Sequence, residues 1–408
     1  MAESGTPSRG DEGSYAAQLA REIRRRRKEL GFSHNVLSQR IGYTRQYMSM
    51  AERVGRNLPS EAVVRAIDNA LDARGSLTAL WERAYAEQKS FRQPCSLPPD
   101  RVEYVLGNPA SVDLVAVAQI QDRISQLDAA YDELPSTELV GAAGQVLGQV
   151  KHLHEHASGR VKKALFEVEA ESATLMGQLV WDVSQRKDHT GPCAYLDQAV
   201  HASRQVRNPG AQAYAVLRKS FVALYGEQNP KKGLLLAQEA AETAASWSPS
   251  LTGLSLLHVA EGYAILGDRS ACETALKKAE TRADRVDGFD PSEGLYSMKE
   301  FNRLAGSCYL YLGLPERAEP LLKQTASMLS SKKKSQAIAF GNLTLSLIRQ
   351  RKLDEAATTM HRAIDAVELT RGGGGLNLVF TAGQELQQWR TESNVQDIND
   401  RLFALMAA

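Results

Sequence analysis

The stretch Gly42 to Asn57, GYTRQYMSMAERVGRN, sets Arg45, Gln46, Ser49 and Arg53 on one side of a short polar helix that starts at Thr44. Arginine and glutamine are the side chains that make paired hydrogen bonds to guanine and adenine edges, so this spacing raises base readout. The plain alternative is a surface helix with a solvated face. Two other constellations are weaker. His152 and His156 lie four apart in KHLHEHASGR with Glu155 beside them, but zinc needs a third or fourth ligand and none has the spacing. A surface or interface cluster is the expected reading. The Gly372–Gly375 run lacks the Gly-Lys-Ser/Thr of a phosphate loop and opens no strand–helix unit, so it reads as a flexible turn. No nucleophile–base–orienter set and no paired carboxylates stand out. Neither enzyme activity nor a metal or other cofactor is expected.

The net charge of +1 over 408 residues hides an asymmetry. Residues 14–74 carry twelve Arg and Lys against six Asp and Glu, whereas residues 75–408 carry a net −3. A small basic segment joined to a larger, mildly acidic one suggests that only the small one meets a polyanion. Cys95, Cys193, Cys272 and Cys308 are far apart with no C-x-x-C pair, which gives no sign of a zinc knuckle or redox motif. Residues 1–13 lack the apolar core of a signal peptide, and no apolar run approaches the ~18 residues of a membrane span. A cytoplasmic, nucleoid-associated protein that binds no membrane is the expectation.

The elements that must position these residues are helical. Residues 1–13 read as a disordered tail. From Tyr15, Leu19, Ile23 and Leu30 fall on one stripe, and Arg24, Arg25, Arg27 and Lys28 mostly face away as a solvated surface. Gly31 ends this helix and Ser33 caps the next. Further helices are expected at 33–41, 44–53, 60–71 and 76–89, which makes 14–90 one domain. Residues 91–110 hold four of the fourteen prolines and read as a linker. Beyond it, prolines fall between helical patterns and good helix formers dominate.

The segment from His34 to Arg53 has helix-turn-helix spacing: Leu37 and Ile41 buried, Ser38 small at the crossing, Gly42 at the turn, Met48 and Ala51 packing back. Together with Gly31-Phe32-Ser33-His34, Gly42-Tyr43-Thr44, Met48-Ser49, Glu52-Arg53 and Pro59-Ser60, it resembles the phage-repressor-like (xenobiotic-response-element) helix-turn-helix family over residues 15–80. The resemblance implies a five-helix DNA-binding domain with one helix in the major groove. On that helix Thr44, Arg45, Gln46, Ser49 and Met50 project toward bases. Tyr47, Arg53 and Arg56, with Thr44, suit phosphates, which position without specifying. His34 stands where the family has a phosphate-holding Gln, and the loop after the recognition helix is one residue longer.

Residues 111–408 repeat. AEGYAILGDRSACETALKKAE (260–280) and GSCYLYLGLPERAEPLLKQTA (306–326) align 46 residues apart, and TLSLIRQRKLDEAATTMHRAI (344–364) follows 38 later. Fainter pairs are 163–187 with 192–206 and 211–226 with 231–246, and 377–390 with 394–405 looks like a cap. These units resemble tetratricopeptide repeats, longer than usual and degenerate, which stack into an α-superhelix. In such repeats the first helix of each pair lines a groove. Carried over, that geometry places His258, Glu261, Arg303, Ser307, Tyr311, Asn342 and Arg349 inward, and a weaker alignment adds Arg218 and Lys219. The wall is polar with a basic bias, suited to a carboxylate-bearing peptide or an acidic metabolite, or else is an ordinary solvated groove.

The whole chain is therefore expected to be all-α: a helix-turn-helix domain followed by tetratricopeptide-like helix pairs. This layout resembles actinobacterial regulators and the peptide-pheromone receptors of Gram-positive bacteria. It implies a bacterial ligand-responsive transcription factor that binds a double-stranded operator as a homodimer, controlled by a peptide or small-molecule effector. The rival is a protein-interaction scaffold with an accessory helix-turn-helix module.

Overall fold

Short polar caps followed by proline set many of the helix starts in the repeat region. The side chains of Asn208, Asn229 and Ser248 accept hydrogen bonds from the backbone N–H of Ala211, Lys232 and Leu251 at 3.0, 3.1 and 3.0 Å. Pro209, Pro230 and Pro249 follow directly, where their missing N–H costs nothing. In the computed structural model, residues 14–41, 48–49, 51–52, 58–91, 101–283, 286, 290–292, 294–329 and 332–407 are described. The chain divides into two units, Met1–Pro99 and Asp100–Ala408. Among the described residues there is no strand, and no helix is long and apolar enough to cross a membrane.

The first unit contains α1 (Tyr15–Glu29), α2 (His34–Ile41), α3 (Glu61–Ala70) and α4 (Ser76–Phe91). Leu19, Ile23, Leu37, Met48, Ala51, Val64, Ile67 and Leu77 form its core. Gly31, at φ +67°, lets the chain leave α1, and the Ser33 hydroxyl accepts from Val36 N at 3.2 Å. The start of α4 is capped by buried Asp68, seven or more residues upstream, whose carboxylate accepts from the N–H groups of Gly75, Leu77 and Thr78.

Two expectations for α1 need correcting. Leu30 is not on the buried stripe: the helix stops at Glu29 and Leu30 is exposed. Arg27 does not face solvent but occupies the inward position one turn after Ile23, at 8% exposure. It stays charged there because Glu52 meets it. Arg27 Nε and Nη2 both donate to the Glu52 carboxylate, Nη2 at 2.9 Å, and Nη1 donates to Phe32 O at 2.7 Å. Such a bidentate, charge-assisted pair satisfies a guanidinium away from water.

In the second unit the expected 91–110 linker contains an ordered helix, α5 (Arg101–Gly107). Its Val102 and Val105 are wholly buried against Ile120, Val150 and Leu165. The helices α6 (Leu114–Ala130) and α7 (Ser136–His156) follow. Next come five helix pairs: α8 (Gly159–Val183) with α9 (Thr190–Gln205), α10 (Pro209–Phe221) with α11 (Pro230–Ala244), α12 (Pro249–Ile265) with α13 (Arg269–Ala283), α14 (Met298–Tyr311) with α15 (Pro315–Met328), and α16 (Lys333–Arg349) with α17 (Leu353–Thr370). A final pair, α18 (Gly373–Leu386) and α19 (Ser393–Ala407), ends the array.

The turns inside three pairs place Gly267, Gly313 and Arg351 at equivalent positions, all left-handed with φ of +78°, +71° and +59°. Close packing explains the small residues. A Cβ on Gly306 would lie 2.6 Å from Leu322 Cγ, so α14 and α15 meet where no side chain fits. Gly372–Gly375 is not a flexible turn. Gly372 caps α18 and Gly373–Gly375 form its first turn, where Gly375 lies flush against Ala337.

The array returns to its own beginning. Lys334 on α16 donates through its backbone N–H to Asp132 O at 3.3 Å and through Nζ to Ser136 Oγ at 2.7 Å. Nζ also sits 3.8 Å from the Tyr131 ring centroid and 3.6 Å from Asp182 Oδ2. Asp182 further accepts from Tyr131 Oη (2.8 Å), Ser136 Oγ (3.2 Å) and Arg186 Nε (3.3 Å). This buried clasp fastens the α6–α7 turn to the fifth pair.

Candidate functional site

In the first unit the helix-turn-helix frame is set by the core contacts of Leu37, Met48 and Ala51. Ser49, expected at the bases, is half-buried, and His34 turns Nε2 toward Glu52 Oε2 at 3.1 Å. Thr44, Arg45, Gln46, Tyr47, Met50, Arg53 and Arg56 lie outside the described residues, as does the turn at Gly42. Burial opposes ionisation of Glu52, but hydrogen bonds from Arg27 and His34 outweigh it and hold the carboxyl below its ordinary range. The pair therefore ties α1 to Glu52, the neighbour of core residue Ala51.

The second unit holds a cavity of about 1180 Å³. It is bounded by the α6–α7 turn and by the first helices of successive pairs: α10, α12, α14, α16 and α18. Of the nine residues expected to face a groove, the structure brings eight to this cavity: Arg218, His258, Glu261, Arg303, Ser307, Tyr311, Asn342 and Arg349. Lys219 is the exception and a correction. It follows Arg218 by about 100° around α10 and pairs with Asp197 at 2.5 Å, outside the lining.

At the centre lies Glu261, 3% exposed. Three neighbours from three consecutive pairs converge on it. Ser307 Oγ donates to Oε1 at 2.7 Å, the Tyr225 hydroxyl donates to Oε2, and His258 Nδ1 lies 3.2 Å from Oε2. Burial would raise this carboxyl, but the bonds from His258, Tyr225 and Ser307 prevail and hold it low. Burial pushes the His258 imidazole down, Glu261 pulls it back, and Arg303 and Arg218 add to the depression. The result is an ionised carboxylate beside a neutral imidazole whose Nδ1 lies within reach of both Glu261 Oε2 and, at 3.1 Å, the Tyr225 hydroxyl, with Phe221 packed on the ring at 4.2 Å.

The arginines of the wall differ in employment. Arg349 is committed to Glu385 (2.7 Å) and Leu310 O (3.2 Å), and Arg186 to Asp182. Arg218 donates only to the Tyr214 hydroxyl, its Nε is buried without a partner, and it makes no ion pair among the described residues. Arg303 has neither hydrogen bond nor ion pair among them. The buried side chain of Asn342 likewise makes no hydrogen bond there.

Sequence reasoning missed Tyr214, Phe221, Tyr225 and Lys334, all in the lining. The first two were legible, since 214, 218 and 221 share one helical face with Arg218. Tyr225 was obscured because residues 222–226 form a π-helical turn, which shifts the register that a 3.6-residue period assumes. Lys334 required knowing that the array closes on itself. His152 and His156 stack edge-on at 5.6 Å, and no group of three metal-ligating residues occurs among the described residues.

A family model described as a helix-turn-helix domain matches residues 18–81. No curated protein matches the chain. Among solved structures, the chain is similar to Bacillus thuringiensis PlcR in complex with the peptide PapR7 and DNA, at 14% identity and a TM-score of 0.36, over 77% of this chain and 94% of that one. Residues 18–81, with Leu37, Met48 and Ala51 at the centre of their core, are a helix-turn-helix domain, followed here by an all-helical array of antiparallel pairs.

Proposed function

We propose that this chain is a sequence-specific, DNA-binding transcriptional regulator whose second unit binds a peptide or small-molecule effector in the α10–α18 cavity. The observation that carries the reading is the helix-turn-helix match over 18–81 on a segment with twice as many basic as acidic residues between 14 and 74. A basic fold of this kind meets phosphates through its surplus charge and bases through one helix. Arg45 and Gln46 read bases with Thr44, Ser49 and Met50, while His34, Tyr47, Arg53 and Arg56 hold the backbone. A homodimer reads two half-sites about one helical turn apart. A ligand in the cavity controls DNA binding only by favouring one arrangement of the protein over another.

Selection of duplexes from a random library with the full-length protein, followed by titration at several salt concentrations, tests the reading. The expected outcome is an enriched inverted repeat whose affinity falls steeply with salt. Arg45→Ala relaxes discrimination at one base pair by about 1–3 kcal/mol, while Arg53→Ala weakens all sequences alike. Recovery of no preferred sequence would sink the regulator reading and favour an interaction scaffold.

A further inference from the structure

The two arginines without carboxylate partners mark what the cavity is built to hold. Arg218 and Arg303 stand on α10 and α14, either side of α12 in chain order, and both line the cavity beside His258, where they add to the effect of burial in disfavouring its charged form. Around them are ring faces: Arg218 lies 4.8 Å from the Tyr214 centroid and 5.2 Å from that of Phe221, and Tyr225 closes the floor over Glu261. The other cations of the wall are used internally: Arg186 and Lys334 by Asp182, Arg349 by Glu385 and Lys332 by Glu300. Asp128 feels Arg218 yet makes no ion pair with it, and Asp132 is engaged by Ser335. A guanidinium turned into a cavity with its Nε dehydrated and unbonded is costly unless an acceptor arrives.

We infer that the cavity takes a ligand with an anionic carboxylate or phosphate group held between Arg218 and Arg303, and an aromatic or apolar body against Tyr214, Phe221 and Tyr225. The inference rests on reading this cavity as an effector site. The anion supplies the charged partner that neither guanidinium has among the described residues, and an acceptor for Arg218 Nε. Glu261, already ionised and saturated by three donors, repels a second acid from its own side and so fixes the orientation. The cavity exceeds the usual 300–1,000 Å³ of small-molecule pockets, so an extended ligand fits beside the anion.

The test uses the full-length protein and two probes that share a ring skeleton: anionic 8-anilinonaphthalene-1-sulfonate and neutral N-phenyl-1-naphthylamine. The anionic probe is expected to bind at one saturable site, and Arg218→Gln and Arg303→Gln each weaken it about tenfold, the loss of one charged hydrogen bond. Neither substitution changes the neutral probe's affinity. Lysine at either position restores part of the loss, which separates lost charge from misfolding, and melting curves confirm that each variant is folded. Displacement by phenylacetate or by phenyl phosphate tells the carboxylate from the phosphate source, and either supports the inference. Equal displacement by phenylacetamide, or anionic binding indifferent to both arginines, overturns it. Selection of duplex DNA by the same preparation keeps the two readings apart. DNA selection without arginine-dependent binding removes the anion site alone, and arginine-dependent binding without DNA selection removes the regulator alone.

Discussion

Asp182 and Glu261 are both buried carboxylates in the repeat unit, yet their surroundings are built from opposite materials. Asp182 is ringed by charge: Lys334 and Arg186 compensate it while Tyr131 and Ser136 fill its remaining lone pairs. Glu261 is ringed by neutral donors, Tyr225, Ser307 and the imidazole of His258. The cations that act on the adjacent His258, Arg303 and Arg218, bond neither to Glu261 nor to any other carboxylate among the described residues. A cluster that settles its own charge joins parts of the protein. A cluster that leaves guanidiniums unanswered across an open space awaits something from outside.

The comparison breaks most visibly at the clasp. Lys334→Met removes the ammonium from Asp182, Ser136 and the Tyr131 ring, and leaving a buried charge short of its partner costs about 3–5 kcal/mol. Urea unfolding followed by circular dichroism reads the loss, and amide exchange should quicken first around 131–136 and 332–338. A variant as stable as the parent would mean that Lys334 contributes nothing to closing the array. Arg27→Met comes next, at about 1.5–3 kcal/mol for the charged hydrogen bonds to Glu52, seen as faster exchange across α1. This pair also carries a pH signature. The folded Glu52 carboxyl lies below its unfolded value. Its stabilisation is therefore complete above the ordinary carboxylate range, about 4.3, and is lost as pH falls through the depressed folded value. Arg27→Met should flatten that part of the α1 exchange profile.

How much of this was legible follows the range of the interactions involved. The helix pairs announced themselves because their signals are local: a cap, a proline and a left-handed turn at Gly267 and Gly313 recur at fixed offsets. The groove face was equally local, since one inward side of a helix implies the rest of that side. Arg27 was misplaced because hydrophobic periodicity treats every arginine as outward, although it sits one turn beyond Ile23 on the buried stripe. Its partner Glu52 is 25 residues away. The clasp was invisible for the same reason on a larger scale, joining Ser136 to Lys334 across 198 residues. Tyr225 lay within reach of pattern reading but behind a π-helical turn.

The middle of the range sharpens the contrast. Tyr225→Phe takes one of three donors from Glu261 while keeping the ring, and should cost about 1 kcal/mol, since Ser307 and His258 remain. Its effect should be smaller than that of Lys334→Met because no net charge is left unanswered.

The smallest effect is the most telling. Arg303→Gln breaks no bond among the described residues, so the unliganded protein should change by no more than about 0.5 kcal/mol, in either direction. Removing the guanidinium also takes away one of the charges that disfavour protonated His258. Burial, the larger cause, stays in place. The imidazole should therefore titrate at a higher pH than in the parent while remaining below the ordinary histidine range, as followed by its ring proton resonances. A stability loss comparable to that of Lys334→Met would show that Arg303 is structural after all, and the distinction between a clasp and an expectant site would collapse.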